Sequence, residues 1–151
     1  MKAEELKKIF CDNLNLFNKS IEWLNKSYQK AKNIDLEKNN LSEDELEVLE
    51  TLSNRFSRAV DILINKVLRS LDLLELEDIN RKIDIVIRAE KRGFVDDYRL
   101  LIELKDLRNE LVYEYIQEML IEKFKEIIEK TPILFDTADK INRYSKKYNY
   151  C

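Results

Sequence analysis

The sequence contains no histidine, and it has one glycine and one proline among 151 residues. Without imidazole, the usual zinc sites and the catalytic arrangements that use histidine as a general base are excluded. With so little glycine and proline, a sheet-rich fold with many tight turns is excluded as well, because these two residues supply most turn conformations. The composition therefore predicts a helical protein with no metal site and no cofactor.

Long hydrophobic runs are also missing. No apolar run exceeds three residues, whereas a transmembrane helix needs about 20 and the apolar part of a secretory signal about 7 to 15. We therefore expect no membrane association and a cytoplasmic location. Cys11 and Cys151 lack the spacing of a redox or zinc motif, so two reduced thiols are expected in that compartment.

Apolar residues recur at gaps of three and four along most of the chain, which is the periodicity of amphipathic helices. Five helices are predicted, over residues 3–31, 43–70, 79–92, from the cap at Asp96 or Asp97 to Thr131, and 132–147. Since no linker or internal repeat divides the chain, the pattern predicts one domain over residues 1–151, an all-α, up-and-down helical bundle.

Local signals mark several ends of these helices. Ser42 and Glu45 have the spacing of a capping box at the start of the second helix, and Gly93 is placed to end the third. Pro132 is expected to end the fourth helix and to begin the fifth.

Large aromatic side chains at helical spacing in the first helix are predicted to fill the core. They are Phe10, Phe17, Trp23 and Tyr28. Near the C-terminus, three tyrosines lie among basic residues, and they predict either a frayed amphipathic end or a contact with nucleic acid. These are Tyr144, Tyr148 and Tyr150.

Arg108 interrupts an apolar stripe on the fourth helix. Its spacing from Leu104 and Leu111 puts a guanidinium on the face that otherwise points to the interior. One interpretation is structural, an interior ion pair or a buried stem with its head at the surface. The other is functional, a cleft in which five fixed donors hold a phosphate. Position alone leaves both open.

The residues around it, Leu107-Arg108-Asn109-Glu110-Leu111-Val112-Tyr113-Glu114-Tyr115, resemble the R-x4-H-x-Y motif of HEPN-domain ribonucleases, in particular the HepT-like toxins. Arg108, the polar Asn109 and the closing Tyr115 match, and Tyr113 stands where the family has histidine. A looser similarity extends over residues 41–135.

This resemblance implies a HEPN-like bundle that forms a homodimer, with motif residues of both subunits around a cleft where RNA is cut without metal. It also implies a partner, an MNT-type nucleotidyltransferase antitoxin that silences the toxin by transferring AMP to the motif tyrosine, here Tyr115. Arg108 would hold a phosphate, Asn109 would orient it, and Tyr113 would fill the position of the missing base. The alternatives are a catalytically inactive adaptor for the nucleotidyltransferase or a substrate, and a purely structural helical dimer.

Two physical points bear on the motif. Arg108 and Tyr113 lie about 140° apart on one helix. To reach one phosphate, they need the arginine side chain to wrap round the helix, a local distortion of the helix, or contributions from two chains across a twofold axis. A phenol with a pKa of about 10 is a poor base at neutral pH, whereas an imidazole with a pKa of about 6.5 is a good one. The tyrosine therefore predicts slow cleavage or none.

Charge patterning points in two directions. Arg81, Arg88 and Arg92 fall within about 40° of one another on the third helix and predict a strip that binds RNA phosphates. On the motif helix, glutamates recur at every fourth position from Glu110 to Glu126, which is typical of a solvated acidic ridge. The net charge of −3 argues against strong indiscriminate binding of nucleic acid.

Overall fold

The computed structural model describes residues 2–111 and 117–151, and every regular element among them is a helix. The elements are α1 (Ala3–Ala31), α2 (Glu43–Ile62), a π-helical segment (Leu63–Leu68), α3 (Arg69–Leu74), α4 (Lys82–Lys91), α5 (Tyr98–Leu111) and α6 (Gln117–Lys147). The predicted all-α helical bundle is therefore confirmed. None of the helices in these two ranges has the length and apolar character that would let it cross a membrane.

One cluster of buried apolar side chains joins the helices. α1 packs against α2, α3, the π-helical segment and α6, while α5 packs against α2, α4 and α6. Phe10 and Phe17 of α1 are completely buried, as predicted. The bundle thus places one face of α5 against α2, and this contact positions the candidate site.

α2 begins where the capping box predicts. The Ser42 hydroxyl accepts a hydrogen bond from the Glu45 N–H at 3.1 Å, and the Glu45 carboxylate accepts one from the Ser42 N–H at 2.9 Å. The helix then passes into the π-helical segment and α3, so that the predicted second helix reaches Leu74 and changes pitch at Leu63. Such wider turns occur often at functional sites.

Turn-forming and capping residues set the start and the end of α4 and the start of α5. α4 begins at Lys82 instead of the predicted residue 79, because Asp78 forms a turn in which its carboxylate accepts from the Asn80 N–H at 2.8 Å. The helix ends as predicted, with Gly93 in the left-handed region at a φ of 85°. The Asp97 carboxylate accepts from the Arg99 N–H at 2.9 Å and caps α5, also as predicted.

The predicted helix boundary at Pro132 is wrong, because α6 continues through it. Buried side chains lie on one apolar face both before and after the proline, and their packing outweighs the loss of one backbone hydrogen bond. They are Phe124, Ile127, Leu134, Ala138 and Ile141.

The prediction that Trp23 fills the core is also wrong. Its side chain is 52% exposed, while the adjacent Leu24 takes the buried position. The Lys26 ammonium lies 4.4 Å from the centre of the Trp23 ring and the Arg55 guanidinium 5.0 Å from it. These cations cover the ring at the surface.

The chain ends meet, and Cys11 and Cys151 form a disulfide, so the prediction of two reduced thiols is wrong. Asn149, with a φ of 57°, turns the chain at the end of α6, and the Tyr150 N–H bonds to the Ser145 carbonyl at 2.9 Å. This turn directs the last residues back to α1. The cytoplasmic location stays a prediction, and the disulfide is more typical of an oxidising compartment.

Replacing Pro132 by alanine restores a backbone N–H inside α6. We expect the free energy of unfolding to rise by about 1 to 3 kcal/mol, because proline is the poorest residue in a helix interior. Urea denaturation measures the change, with Glu129→Ala, an exposed site on the same helix, as the control that should change stability little. A less stable Pro132→Ala protein would show instead that the core requires proline here.

Candidate functional site

Arg108 lies near the end of α5, on the side that faces α2. Its Nη2 is 3.0 Å from Asp61 Oδ2, and its Nη1 is 3.0 Å from Asn109 Oδ1. The Arg108 side chain is 34% exposed and that of Asp61 is 42% exposed. The ion pair is therefore open to solvent, and it is not a salt bridge enclosed in the core.

Two cavities meet at this guanidinium. The larger, of about 520 Å³, lies among α2, α5 and α6, and the smaller, of about 270 Å³, lies among α2, the π-helical segment, α4 and α5. Arg108 lines both cavities. Its Nε is buried and has no hydrogen-bond partner among residues 2–111 and 117–151. The contacts of the guanidinium with Asp61 and Asn109 are thus made through its two Nη groups.

The polar wall of the two cavities comes mainly from α2. Its polar residues follow helical spacing on the face opposite the buried Leu49, Leu52 and Phe56. They are Glu50, Ser53, Asn54, Ser57, Arg58 and Asp61. Sequence reasoning missed this face. The available signal was the run of polar residues at gaps of three and four along an otherwise amphipathic helix.

The ion pair is of a kind that another anion can replace. Exposed salt bridges contribute about 1 kcal/mol or less to stability, because water screens both charges. A phosphate offers the planar guanidinium two parallel hydrogen bonds. Arg108 can therefore exchange Asp61 for a phosphate at small cost.

Asn109 lies beside Arg108, and its side-chain oxygen accepts the hydrogen bond from the Arg108 Nη1. Asn109 is exposed to solvent, so it can orient the Arg108 guanidinium without closing the smaller cavity. Tyr113 and Tyr115 lie outside the described residues. The roles assigned to Asn109, Tyr113 and Tyr115 stay predictions.

The three arginines predicted to bind RNA are not together at the surface. Arg88 and Arg92 point to the fully buried Asp72, with Nη1 atoms 3.0 and 2.5 Å from its two carboxylate oxygens. Arg92 is 9% exposed. Arg81 is solvent-exposed and pairs with Asp84 at 2.8 Å. Their RNA-binding role stays a prediction, and two of the three guanidinium groups are held in an internal network.

Glu75 extends this network to the C-terminus. Its carboxylate accepts hydrogen bonds of 2.7 Å from the hydroxyls of Tyr144 and Tyr150, and it pairs with Arg92 at 2.9 Å. Burial and the hydrogen bond to Glu75 raise the pKa of Tyr150 to about 12, and the same causes raise the pKa of Tyr144. The predicted frayed end is therefore wrong at these two tyrosines, which join α6 to α3 and α4.

The glutamates of the motif helix whose side chains are described keep 42% or more of those side chains exposed; they are Glu110, Glu122 and Glu126. Glu110 and Glu126 both contact Lys123. Glu114 and the side chain of Glu118 lie outside the described part. Among residues 2–111 and 117–151, no cluster of three or more carboxylate or cysteine groups is arranged to bind a metal ion. The polar groups around Arg108 instead suit an anion.

Comparisons of the chain with protein-family models, with curated proteins and with solved structures find no significant match. The HEPN resemblance therefore depends on residues 107–115 and on the looser pattern over residues 41–135. The family assignment stays a prediction.

Asp72→Asn removes the negative charge that Arg88 and Arg92 share. We expect the free energy of unfolding to fall by about 3 to 5 kcal/mol, because two largely buried guanidinium groups then lack their counterion. Thermal and urea denaturation measure the loss. Asp84→Asn, which removes the surface partner of Arg81, is the control and should leave stability nearly unchanged. Equal effects of the two substitutions would contradict a structural role for the internal network.

Proposed function

We propose that the protein is the HepT-like HEPN component of a toxin–antitoxin pair, a cytoplasmic homodimer that binds single-stranded RNA at Arg108 and cleaves it slowly without metal. The observation that carries this proposal is the position of the Arg108 guanidinium, open to solvent beside two cavities and paired, within the described part of the chain, with the exposed Asp61 and its neighbour Asn109. A purely interior arginine has no such access to a ligand.

The proposed reaction is attack of a ribose 2′-oxygen on the neighbouring phosphorus, which breaks the bond to the 5′-oxygen of the next nucleotide. Arg108 binds the phosphate and stabilises the negative charge that develops on its oxygens. The 2′-hydroxyl must give its proton to a base, for which solvent water is available, and the departing 5′-oxygen must receive a proton. Tyr113, protonated at neutral pH, is suited to the second task and poorly suited to the first. Slow cleavage follows from this imbalance.

The partner in this proposal is an MNT-type nucleotidyltransferase, and Tyr115 is the acceptor of AMP. The added group carries a negative charge close to Arg108 in the sequence, so it competes with RNA for the guanidinium. This account explains how modification of a tyrosine would silence the protein.

The second candidate is an inactive adaptor that uses the same cleft to position a substrate for the nucleotidyltransferase. Tyr113 favours it, because the position of the family's base holds a residue that is protonated at neutral pH. The two candidates share the anion site at Arg108 and differ in whether a covalent bond is broken.

Cleavage of single-stranded RNA in the presence of a chelator separates the candidates. We expect slow cutting by the natural protein, a rate at least about 100-fold higher for Tyr113→His, and a loss of about 100- to 1,000-fold when Arg108→Ala is added to that variant. Arg143→Ala, which removes an exposed arginine of α6, is the matched control. If neither the natural protein nor Tyr113→His cuts RNA, the ribonuclease is rejected in favour of the adaptor.

Asp61→Asn tests the exchange of partners at Arg108. The substitution removes the carboxylate that competes with phosphate, so RNA should bind about fivefold more tightly, the equivalent of one weak surface ion pair. Fluorescence anisotropy with a labelled RNA measures the affinity. Asp139→Asn removes a comparable surface partner, that of Arg143 at 2.9 Å, and should have little effect. Weaker binding by Asp61→Asn would contradict a competitive role for this carboxylate.

A further inference from the structure

The smaller cavity beside Arg108 has an unbalanced positive charge. Lys82 enters it from the start of α4, and Lys105 and Arg108 enter it from α5. Asp61 is the acidic side chain among the lining residues, and it already pairs with Arg108. Neither lysine has an ion-pair partner within the described ranges 2–111 and 117–151. Three cations thus surround about 270 Å³ with one carboxylate between them.

A second cationic cavity, lined by the end of α4 and by α6, is largely neutralised. Arg92 pairs with Asp72 and Glu75, Lys140 with Asp136 and Arg143 with Asp139. Lys147, which lies over the Tyr148 ring, has no ion pair among the described residues. No comparable pairs exist for the two lysines beside Arg108 in the described chain. The smaller cavity differs in having two lysines without an ion pair beside the singly paired Arg108.

The start of α4 borders this cavity. α4 begins at Lys82, and its N-cap residue, Arg81, makes no side-chain cap. The first N–H groups of an uncapped helix carry partial positive charge. Lys105 and Arg108 are three residues apart on α5, a separation at which like charges destabilise a helix. An anion in the cavity would relieve both effects.

The remaining wall suits a polar ligand that is attached to a longer chain. Asn65, in the π-helical segment, and Asn109, at the end of α5, are exposed residues that line the cavity and offer amide donors. Val60 and Ile64 are buried beneath them. Arg108 lines both this cavity and the larger one, so a chain bound at Arg108 can extend into both.

We propose that the smaller cavity is a second phosphate site on the same RNA strand. Arg108 binds the phosphate that reacts, and Lys82 and Lys105 together bind the phosphate next to it. This inference rests on the proposed function, since it takes single-stranded RNA as the ligand, and it assigns two residues that the motif does not include. The lysines are binding residues and take no part in proton transfer.

The salt dependence of RNA binding tests this inference. The affinity of a fluorescein-labelled oligouridylate is measured over a range of salt concentrations for the natural protein, Lys82→Ala/Lys105→Ala, Arg108→Ala and Lys19→Ala/Lys30→Ala. The last variant removes two exposed lysines of α1, so it matches the change in net charge. For single strands, each neutralised phosphate contributes about 0.7 to the slope of log affinity against log salt.

We expect the Lys82→Ala/Lys105→Ala protein to lose about 0.7 from this slope and to bind RNA at least tenfold more weakly, while the α1 variant keeps the natural slope. Unchanged melting temperatures would exclude unfolding as the cause. If Arg108→Ala weakens binding but Lys82→Ala/Lys105→Ala behaves like the α1 variant, the second phosphate site is overturned and the proposed function stands. If Arg108→Ala binds RNA as tightly as the natural protein, both are overturned.

Competition by short nucleotides tests whether the protein binds one phosphate or two adjacent ones. Uridine monophosphate carries a single phosphate and should compete with labelled RNA equally well on the natural protein and on Lys82→Ala/Lys105→Ala. The dinucleotide pUpU should compete better than the monophosphate on the natural protein, and it should lose that advantage in the double variant. An advantage that persists in the double variant would overturn the inference.

Discussion

Asp72 is fully buried, and each of its carboxylate oxygens is held by a guanidinium, one from Arg88 and one from Arg92. A buried carboxylate is costly unless opposite charges and hydrogen bonds compensate it, so this arrangement constrains α3 and α4 to one geometry. Glu75 continues the constraint to α6 through Tyr144 and Tyr150. The start of α4, with Lys82, is thereby fixed beside α5. The cavity at Arg108 depends on this indirect support.

The protein contains arginine–aspartate ion pairs in two environments, buried and exposed to solvent, and the environment decides whether the arginine can exchange its partner. Arg92 with Asp72 is enclosed, and exchange of its partner would leave charges without water or counterions. Arg108 with Asp61 is open to solvent, and water compensates either charge when the pair separates. Burial therefore distinguishes a structural arginine from one that can take a ligand. Sequence spacing alone did not make that distinction.

Much of the fold could be predicted from local chemistry. Helical periodicity, the capping box at Ser42 and Glu45, and the left-handed Gly93 depend on neighbouring residues, and the structure confirms each. The end predicted at Pro132 failed because packing on both sides of the proline outweighs its local preference. The disulfide between Cys11 and Cys151 could not be predicted from spacing, since the fold alone brings the two ends together.

The candidate site was predicted in part. Arg108 and Asn109 were identified from the motif, and they are hydrogen-bonded to each other. Asp61 lies 47 residues away in the chain, and no local pattern connects it with the motif. The inward direction of Arg88 and Arg92 was missed for the same reason, because their partner Asp72 belongs to another helix. Contacts between polar and charged groups are thus predictable where the groups share a helix and not where they meet across the fold.

The central claim is that an RNA phosphate replaces Asp61 at the Arg108 guanidinium. The most direct measurement is nuclear magnetic resonance of the Arg108 Nη2–H signal and the Asp61 carboxylate signal while single-stranded RNA is added. The account predicts that both signals shift together and saturate at the same RNA concentration, the first as the donor gains a phosphate and the second as the carboxylate is released. Two signals that stay unchanged at saturating RNA would contradict it.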